Sequence, residues 1–235
     1  MIYHGTPLTP VAALRALAGR AFCVSFYRPD NDAMIAEISD NVMLDNGAFS
    51  FWKAALKAGC ESDEARRDWS PYYAWAEARQ IAGRWAVIPD AIGMPSQVND
   101  GLLNDWPLGT AFGAPVWHMN GPLDRLPRLA ERYSRVCLGW VGGFENGRPV
   151  KSEAAVGCDA YRRRMDEVAG ILGNRWPQLH MLRGVAVARD YPFRQRRQHI
   201  ARAKRMALRQ PARRDARRSV ARTARLCRQT RGQAS

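Results

Sequence analysis

Short apolar runs rich in Val, Ile, Phe and Trp recur along residues 1–193, separated by stretches whose apolar residues return every three or four positions. The runs Phe22–Phe26, Val42–Asp45, Trp85–Asp90, Pro115–Met119, Val136–Trp140 and Leu179–Arg183 read as strands. Helices are predicted between them. Thr9-Pro10 opens Val11–Leu17 as cap and first-turn proline, Asp30–Ile38 starts with an acidic cap, and Ser70-Pro71 opens Tyr72–Ile81. Leu123–Tyr133 and Asp159–Leu172 carry apolar residues at helical spacing. Strand–helix alternation of this kind predicts an α/β fold with a parallel sheet and covering helices. The pattern yields about six β/α units and no internal repeat, whereas a (β/α)8 barrel of the TIM type needs eight. The expectation is therefore an incomplete (β/α)8 barrel, stopped before closure.

Charge divides the chain in two. Residues 194–235 hold 14 arginines and one lysine against a single acid, Asp215, and so carry the entire net charge of +14. That leaves 21 acidic and 21 basic residues in positions 1–193. The expected organisation is a neutral α/β body, 1–193, followed by a basic, disordered tail, 194–235. The tail has no Trp, Tyr or Phe and so offers bases no stacking platform, although its cations bind DNA with steep salt dependence. No run of about 18 apolar residues occurs, which argues against a spanning helix and a membrane partner. The first residues lack the basic and apolar stretches of a signal peptide, so the expected location is the cytoplasm. The five widely spaced cysteines, without a C-x-x-C, fit neither a disulfide framework nor a thiolate metal site.

Several strands run into polar or glycine residues. Val42-Met43-Leu44 leads to Asp45-Asn46-Gly47, Ile88-Pro89 to Asp90, and Val116-Trp117 to His118-Met119-Asn120-Gly121. Val136-Cys137-Leu138 leads to Gly139-Trp140-Val141-Gly142-Gly143-Phe144-Glu145. Chemistry in parallel α/β folds gathers at the carboxyl ends of strands, where loops converge on one crevice. Any one of these residues can instead cap the following helix. Five such ends together are harder to explain by caps.

Taken in order, these motifs resemble the tRNA-guanine transglycosylase superfamily, and more closely its phage and bacterial branch called deoxypurine-in-DNA protein A. Leu44-Asp45-Asn46-Gly47-Ala48-Phe49-Ser50 is similar to the superfamily's Asp-Ser-Gly-Gly-Phe-Gln stretch. Asp90 stands for a second base-recognising aspartate, and His118-Met119-Asn120-Gly121 for a Gln-Gly recognition strand. Gly142-Gly143-Phe144-Glu145 resembles a glycine-rich Gly-Glu loop, and His180-Met181-Leu182-Arg183-Gly184 a late His-Leu-x-Gly strand. The resemblance covers residues 1–193 and implies a transferase that exchanges guanine in DNA, or in tRNA, for a free 7-deazapurine base. It implies Asp45 in base recognition and proton transfer, Asp90 in base recognition, and Asn120, Gly142 and Gly143 in contacts to O6. Glu145 is implied in contacts to the incoming base. His118 and His180 are candidate helpers in proton transfer, with a packed or capping histidine as the alternative for each. No cofactor and no metal are expected. Carboxylates accept the N–H groups a purine presents, and a buried acceptor left unpaired by the wrong base discriminates strongly. A base in duplex DNA must also leave its stack, and Phe49, Phe51 and Trp52 are candidate receivers, each with an alternative as ordinary packing.

Two departures stand out. The superfamily's zinc site of three cysteines and a histidine has no counterpart, since Cys227 is the only late cysteine. The nucleophilic aspartate, expected after the His-Leu-x-Gly element, is also missing: Tyr191-Pro192-Phe193 runs into Arg194-Gln195-Arg196-Arg197-Gln198-His199. Those six residues can be encoded CGC CAG CGC CGA CAG CAC, and the same string read one base later gives Ala-Ser-Ala-Asp-Ser-Thr. An out-of-frame tail is one reading; a nucleic-acid-binding arm and an inert extension are the others. For the whole chain, the alternatives are a glycoside or nucleoside hydrolase using Asp45 and Asp90 as acid and base, and a non-catalytic DNA-binding protein with a basic arm.

Overall fold

The computed structural model describes residues 1–60, 63–145, 148–172, 178–184, 187, 190–191 and 195–198, leaving aside the side chains of 148–149 and 195–198. Its strands are β1 (Ile2–Gly5), β2 (Ala21–Ser25), β3 (Val42–Asp45), β4 (Arg84–Val87), β5 (Gly113–Ala114) and β6 (Val116–His118). They continue as β7 (Arg135–Gly139), β8 (Phe144–Glu145), β9 (Arg148–Pro149), β10 (Gln178–Met181) and β11 (Gln195–Gln198). The helices are α1 (Val11–Arg15), α2 (Asp32–Ile38), α3 (Ala48–Ala58), α4 (Ser70–Glu77), α5 (Ser96–Asn104), α6 (Arg125–Arg132) and α7 (Asp159–Leu172).

Nine strands form one sheet in the order β5-β4-β3-β2-β1-β11-β10-β7-β6, and β8 and β9 make a separate antiparallel hairpin. Every pairing in the large sheet is parallel. Only Pro115 separates β5 from β6, which stand at opposite ends of that order. The Ala114 carbonyl accepts the Ile88 N–H at 2.9 Å, while the next carbonyl, Pro115, accepts the Cys137 N–H at 2.8 Å. Successive carbonyls of an extended chain point to opposite sides, so this one segment bonds the β4 side with one carbonyl and β7 with the next.

The alternation of side chains across each strand produces two cores. Phe22, Val24, Val42, Leu44, Ala86, Val136 and Leu138 face the helices and meet Leu14, Ile35, Tyr72, Leu126 and Met165 there. Each fully buried Leu, Ile or Phe in this layer contributes about 1.5–3 kcal/mol. The neighbouring positions Tyr3, Cys23, Met43, Trp85, Val87, Val116 and Cys137 form a second cluster on the other face. Strands with both faces covered read as near-continuous apolar runs, which is the pattern of the sequence. Within the second cluster the Trp85 ring lies 5.1 Å from His180 and 5.7 Å from Tyr3, and its Nε1–H donates to the Tyr3 hydroxyl at 2.9 Å. Along the sheet β4 and β10 are five strand spacings apart, roughly 24 Å if flat. Contact between Trp85 and His180 therefore requires the sheet to curl on itself. His180 is buried in this inner cluster against Tyr3 and Trp85, the surroundings of the packed alternative.

The six expected strands are all present, and the large sheet has three more: β5, which runs into β6 through Pro115, and β1 and β11, side by side between β2 and β10. β11 lies beyond residue 193, so the boundary drawn there falls just before a strand. Its register sets Arg197 opposite Tyr3. The rest of the Arg-rich segment, 199–235, and residues 192–194 lie outside the described residues. Helices α3 and α5 are also additional to the expectation. Among the described residues, no helix is long and apolar enough to cross a membrane.

Candidate functional site

Parallel pairing sets the carboxyl ends of β3, β4, β6, β7 and β10 along one rim. A cavity opens there, lined among others by Asp45, Phe49, Asp90, His118, Asn120 and Arg183. About 60 Å³ of it is open to the centre of a water molecule, room for several waters rather than one. A more open recess of about 270 Å³ adjoins it and shares Gly93, His118 and Asn120.

Asp90 is the most constrained group in the cavity wall. Its Oδ1 accepts the Asn46 Nδ2–H at 2.9 Å, and its Oδ2 lies 2.8 Å from His118 Nε2. Asn46 also donates to the Ile88 carbonyl at 2.8 Å and accepts the Ala48 N–H at 2.8 Å through Oδ1. One amide thus ties the end of β4 to the start of α3 with every bond satisfied, which fixes which of its ends is oxygen. Gly47, at φ +79°, turns the chain between them, and a Cβ there would stand 2.8 Å from that of Tyr27.

An ionised carboxylate only accepts, so His118 Nε2 carries the proton in this contact and Nδ1 is the basic nitrogen of the neutral ring. The imidazole lies against Gly139 at the end of β7: a Cβ on Gly139 would sit 3.2 Å from the ring's Cδ2 and 3.0 Å from Val116 Cγ1. Arg164 of α7 donates to the Met119 and Gly121 carbonyls, holding the loop that carries Asn120. Trp117 and Arg125 complete the support. The Trp117 indole donates to the Pro122 carbonyl at 3.0 Å, and the buried Arg125 donates to the Val116 carbonyl and to Asp100.

Of the sequence-derived candidates, Asp45, Asp90, His118 and Asn120 share the cavity. Gly142, Gly143 and Glu145 do not line it. Gly142 is buried at φ +91°, where a Cβ would meet the Val150 carbonyl at 3.0 Å. The Gly143 N–H is donated to Glu153 Oε2 at 3.2 Å, and Glu145 is exposed on the hairpin. Trp140 and Val141, just before them, reach the cavity instead. Among the aromatic candidates only Phe49 lines it; Phe51 packs on Tyr27 and Trp69, and Trp52 is buried. Asn46 and Arg183, to which the motifs assign no role, are as much part of the wall as the aspartates. Among the described residues, no three His, Cys, Asp or Glu side chains gather to hold a metal.

Glu64, in the connection between α3 and α4, stands behind this wall. It is 1% exposed, and its carboxyl oxygens have no hydrogen-bonding partner among the described residues. Burial raises its pKa to about 7, with Asp63 and Asp90 adding to the rise and its own backbone N–H and Arg67 opposing it. A raised acid means the folded protein holds this proton more tightly than the unfolded chain. The linked stability is fully present below the unfolded value of 4.5, and falls as pH rises from there through 7. Glu64→Gln is expected to match the parent near pH 4.5 and to exceed it at pH 8 by up to about 3 kcal/mol. Urea unfolding at the two pH values checks this, and equal gains at both would refute it.

Comparison of the chain with protein-family models, with curated proteins and with solved structures gives no match, so the function is argued from geometry.

Proposed function

We propose that the chain is a base-binding protein of the guanine-exchanging transglycosylase type, with a sheet that is the wall of a full (β/α)8 barrel rather than an interrupted one. The observation that carries the reading is that Asp45, the Asp90–His118 pair and Asn120, from three strand ends, line one cavity with Phe49 beside them. For the barrel, the support is that β5 and β6 stand at opposite ends of the strand order yet are joined through Pro115, and that Trp85 meets His180 across the interior.

In this reading a guanine or 7-deazaguanine ring lies flat in the cavity, with N–H groups toward Asp45. His118 Nδ1, the imidazole's remaining acceptor, takes another of the base's N–H groups, and the Asn120 amide faces the base's carbonyl. Asp90 does not meet the base directly: with its oxygens turned to Asn46 and His118, it orients the imidazole. The adjoining recess takes the sugar. Exchange requires a carboxylate to attack C1′ as the guanine leaves with the bonding pair and a proton. The incoming 7-deazapurine then attacks C1′, loses its ring N–H proton, and frees the carboxylate. That carboxylate belongs to the position after the His-Leu-x-Gly element, where the chain has Gln195-Arg196-Arg197-Gln198. The protein with this sequence therefore binds the base without turning it over.

The test is calorimetric titration with guanine, 7-deazaguanine and adenine. Guanine and 7-deazaguanine are expected to bind at least about tenfold tighter than adenine, because adenine has no N–H at N1 to offer Asp45. Equal affinity for adenine, or no purine binding at millimolar concentration, would overturn the proposal.

A further inference from the structure

We propose that Arg183 and Lys53, set around the Phe49 ring at the cavity, bind a phosphate next to the base, so that the ligand is a nucleotide unit and not a bare base or nucleoside. This deepens the base-binding reading above and rests on it.

Three observations point this way. Arg183 follows β10 and lines the cavity, with its guanidinium 5.3 Å from the centre of the Phe49 ring. Lys53, one helical turn along α3 from Phe49, places its ammonium 5.7 Å from the same ring. Phe49 is thus a half-buried aromatic face carrying two cations, the combination by which proteins hold a base and the phosphate beside it. The third observation is the absence of an acid. Two arginines that support the adjoining loop have one: Arg125 with Asp100 and Arg164 with Glu167. Among the described residues Arg183 forms no ion pair. Burial draws its pKa below the ordinary arginine value, with no carboxylate offsetting that shift.

A partly desolvated guanidinium without an acid is costly, and an anion from the ligand removes the cost. Its fork matches a phosphate's paired oxygens, which an ammonium in the same place would meet as a point charge. A neutral free base supplies no such anion. Nothing in the cavity calls for Arg183 if the ligand is a base alone, because Asp45, His118 and Asn120 already provide acceptor and donor positions.

The experiment measures affinities of the full-length protein for deoxyguanosine, deoxyguanosine 5′-monophosphate, thymidine 5′-monophosphate and a trinucleotide with central guanine. The parent is compared with Arg183→Ala, Arg183→Gln and Arg183→Lys. The cationic tail is common to all, so its contribution cancels between variants. The guanine monophosphate is expected to bind about tenfold tighter than the nucleoside. Arg183→Ala and Arg183→Gln should reduce the ratio of monophosphate to nucleoside affinity to within about twofold, and Arg183→Lys should keep part of it. A further Arg183-dependent gain for the trinucleotide assigns the phosphate to a strand; no further gain assigns it to a mononucleotide. If Arg183→Ala weakens nucleoside and monophosphate alike, or neither, the proposal is overturned. The thymidine arm separates the two readings: equal binding of both monophosphates with the Arg183 effect intact sinks guanine recognition alone. A guanine preference without the Arg183 effect sinks the phosphate site alone.

Discussion

A gene from which one base is removed at codon 194 is expected to yield a protein that melts about 10 °C higher and incorporates labelled guanine or 7-deazaguanine into nucleic acid, where the parent chain incorporates none. The structural ground is β11. It pairs in parallel with β1 on one side and β10 on the other, in the middle of a sheet whose neighbouring strands are covered on both faces. Central parallel strands are apolar runs, or small residues where space is short, and Gln195-Arg196-Arg197-Gln198 is neither. Local sequence and global position conflict here as nowhere else in the sheet. Read one base later, the segment becomes Ser-Ala-Asp-Ser, which removes two arginines from the ladder and puts a carboxylate in the place of Arg197. Matching the segment to the apolar or small residues that a central parallel strand takes is worth a few kcal/mol, which for a domain of this size is the melting shift given. Nucleoside mass spectrometry of host nucleic acid, with and without the repaired gene, reads the activity. Codons across 190–200 that produce no Asp-Ser on shifting would end this account before any assay.

The second large effect is at Asp90. Asp90→Ala strips the acceptor from both Asn46 and His118 inside the wall, at an expected cost of about 2–4 kcal/mol, seen as a lower urea midpoint. Asp90→Asn separates fold from chemistry. Its amide oxygen still accepts from Asn46, but its NH2 then faces His118 Nε2, which must become the acceptor and send its proton to Nδ1. Stability should change by no more than about 1 kcal/mol, while guanine affinity falls at least tenfold. Imidazole ¹⁵N shifts report the tautomer directly: protonated Nε2 in the parent and protonated Nδ1 in the variant. An unchanged tautomer with lost binding would mean that Asp90 meets the ligand itself.

How much of this was legible beforehand varies with the physical signal. Val42–Asp45 and Asp159–Leu172 are legible to the residue: the first is an apolar run closed by a polar stop, the second an apolar stripe at helical spacing opened by an acid. β1 was missed because Ile2-Tyr3-His4-Gly5 is short and half polar, its identity fixed by tertiary pairing rather than by pattern. Helix α3 was missed because its cap is Asn46 acting across Gly47, and the Asp-Asn-Gly signal reads equally as a turn. In the site, strand-end position located Asp45, Asp90 and His118, since parallel pairing alone brings such ends together. What it left open was direction. That Asp90 turns toward His118, or that the Gly143 N–H is taken up by Glu153, depends on partners distant in sequence that no local pattern names.

The interior packing of Tyr3, Trp85 and His180 has one further consequence. With those rings packed on the inner face of the sheet, the exchange proposed above takes place in the cavity at the rim. In that proposed exchange two purines meet one sugar carbon in the same cavity, and so occupy it in turn. The departing base has to diffuse out before its replacement comes in, so double-reciprocal plots for the repaired enzyme would run parallel, the signature of a ping-pong sequence.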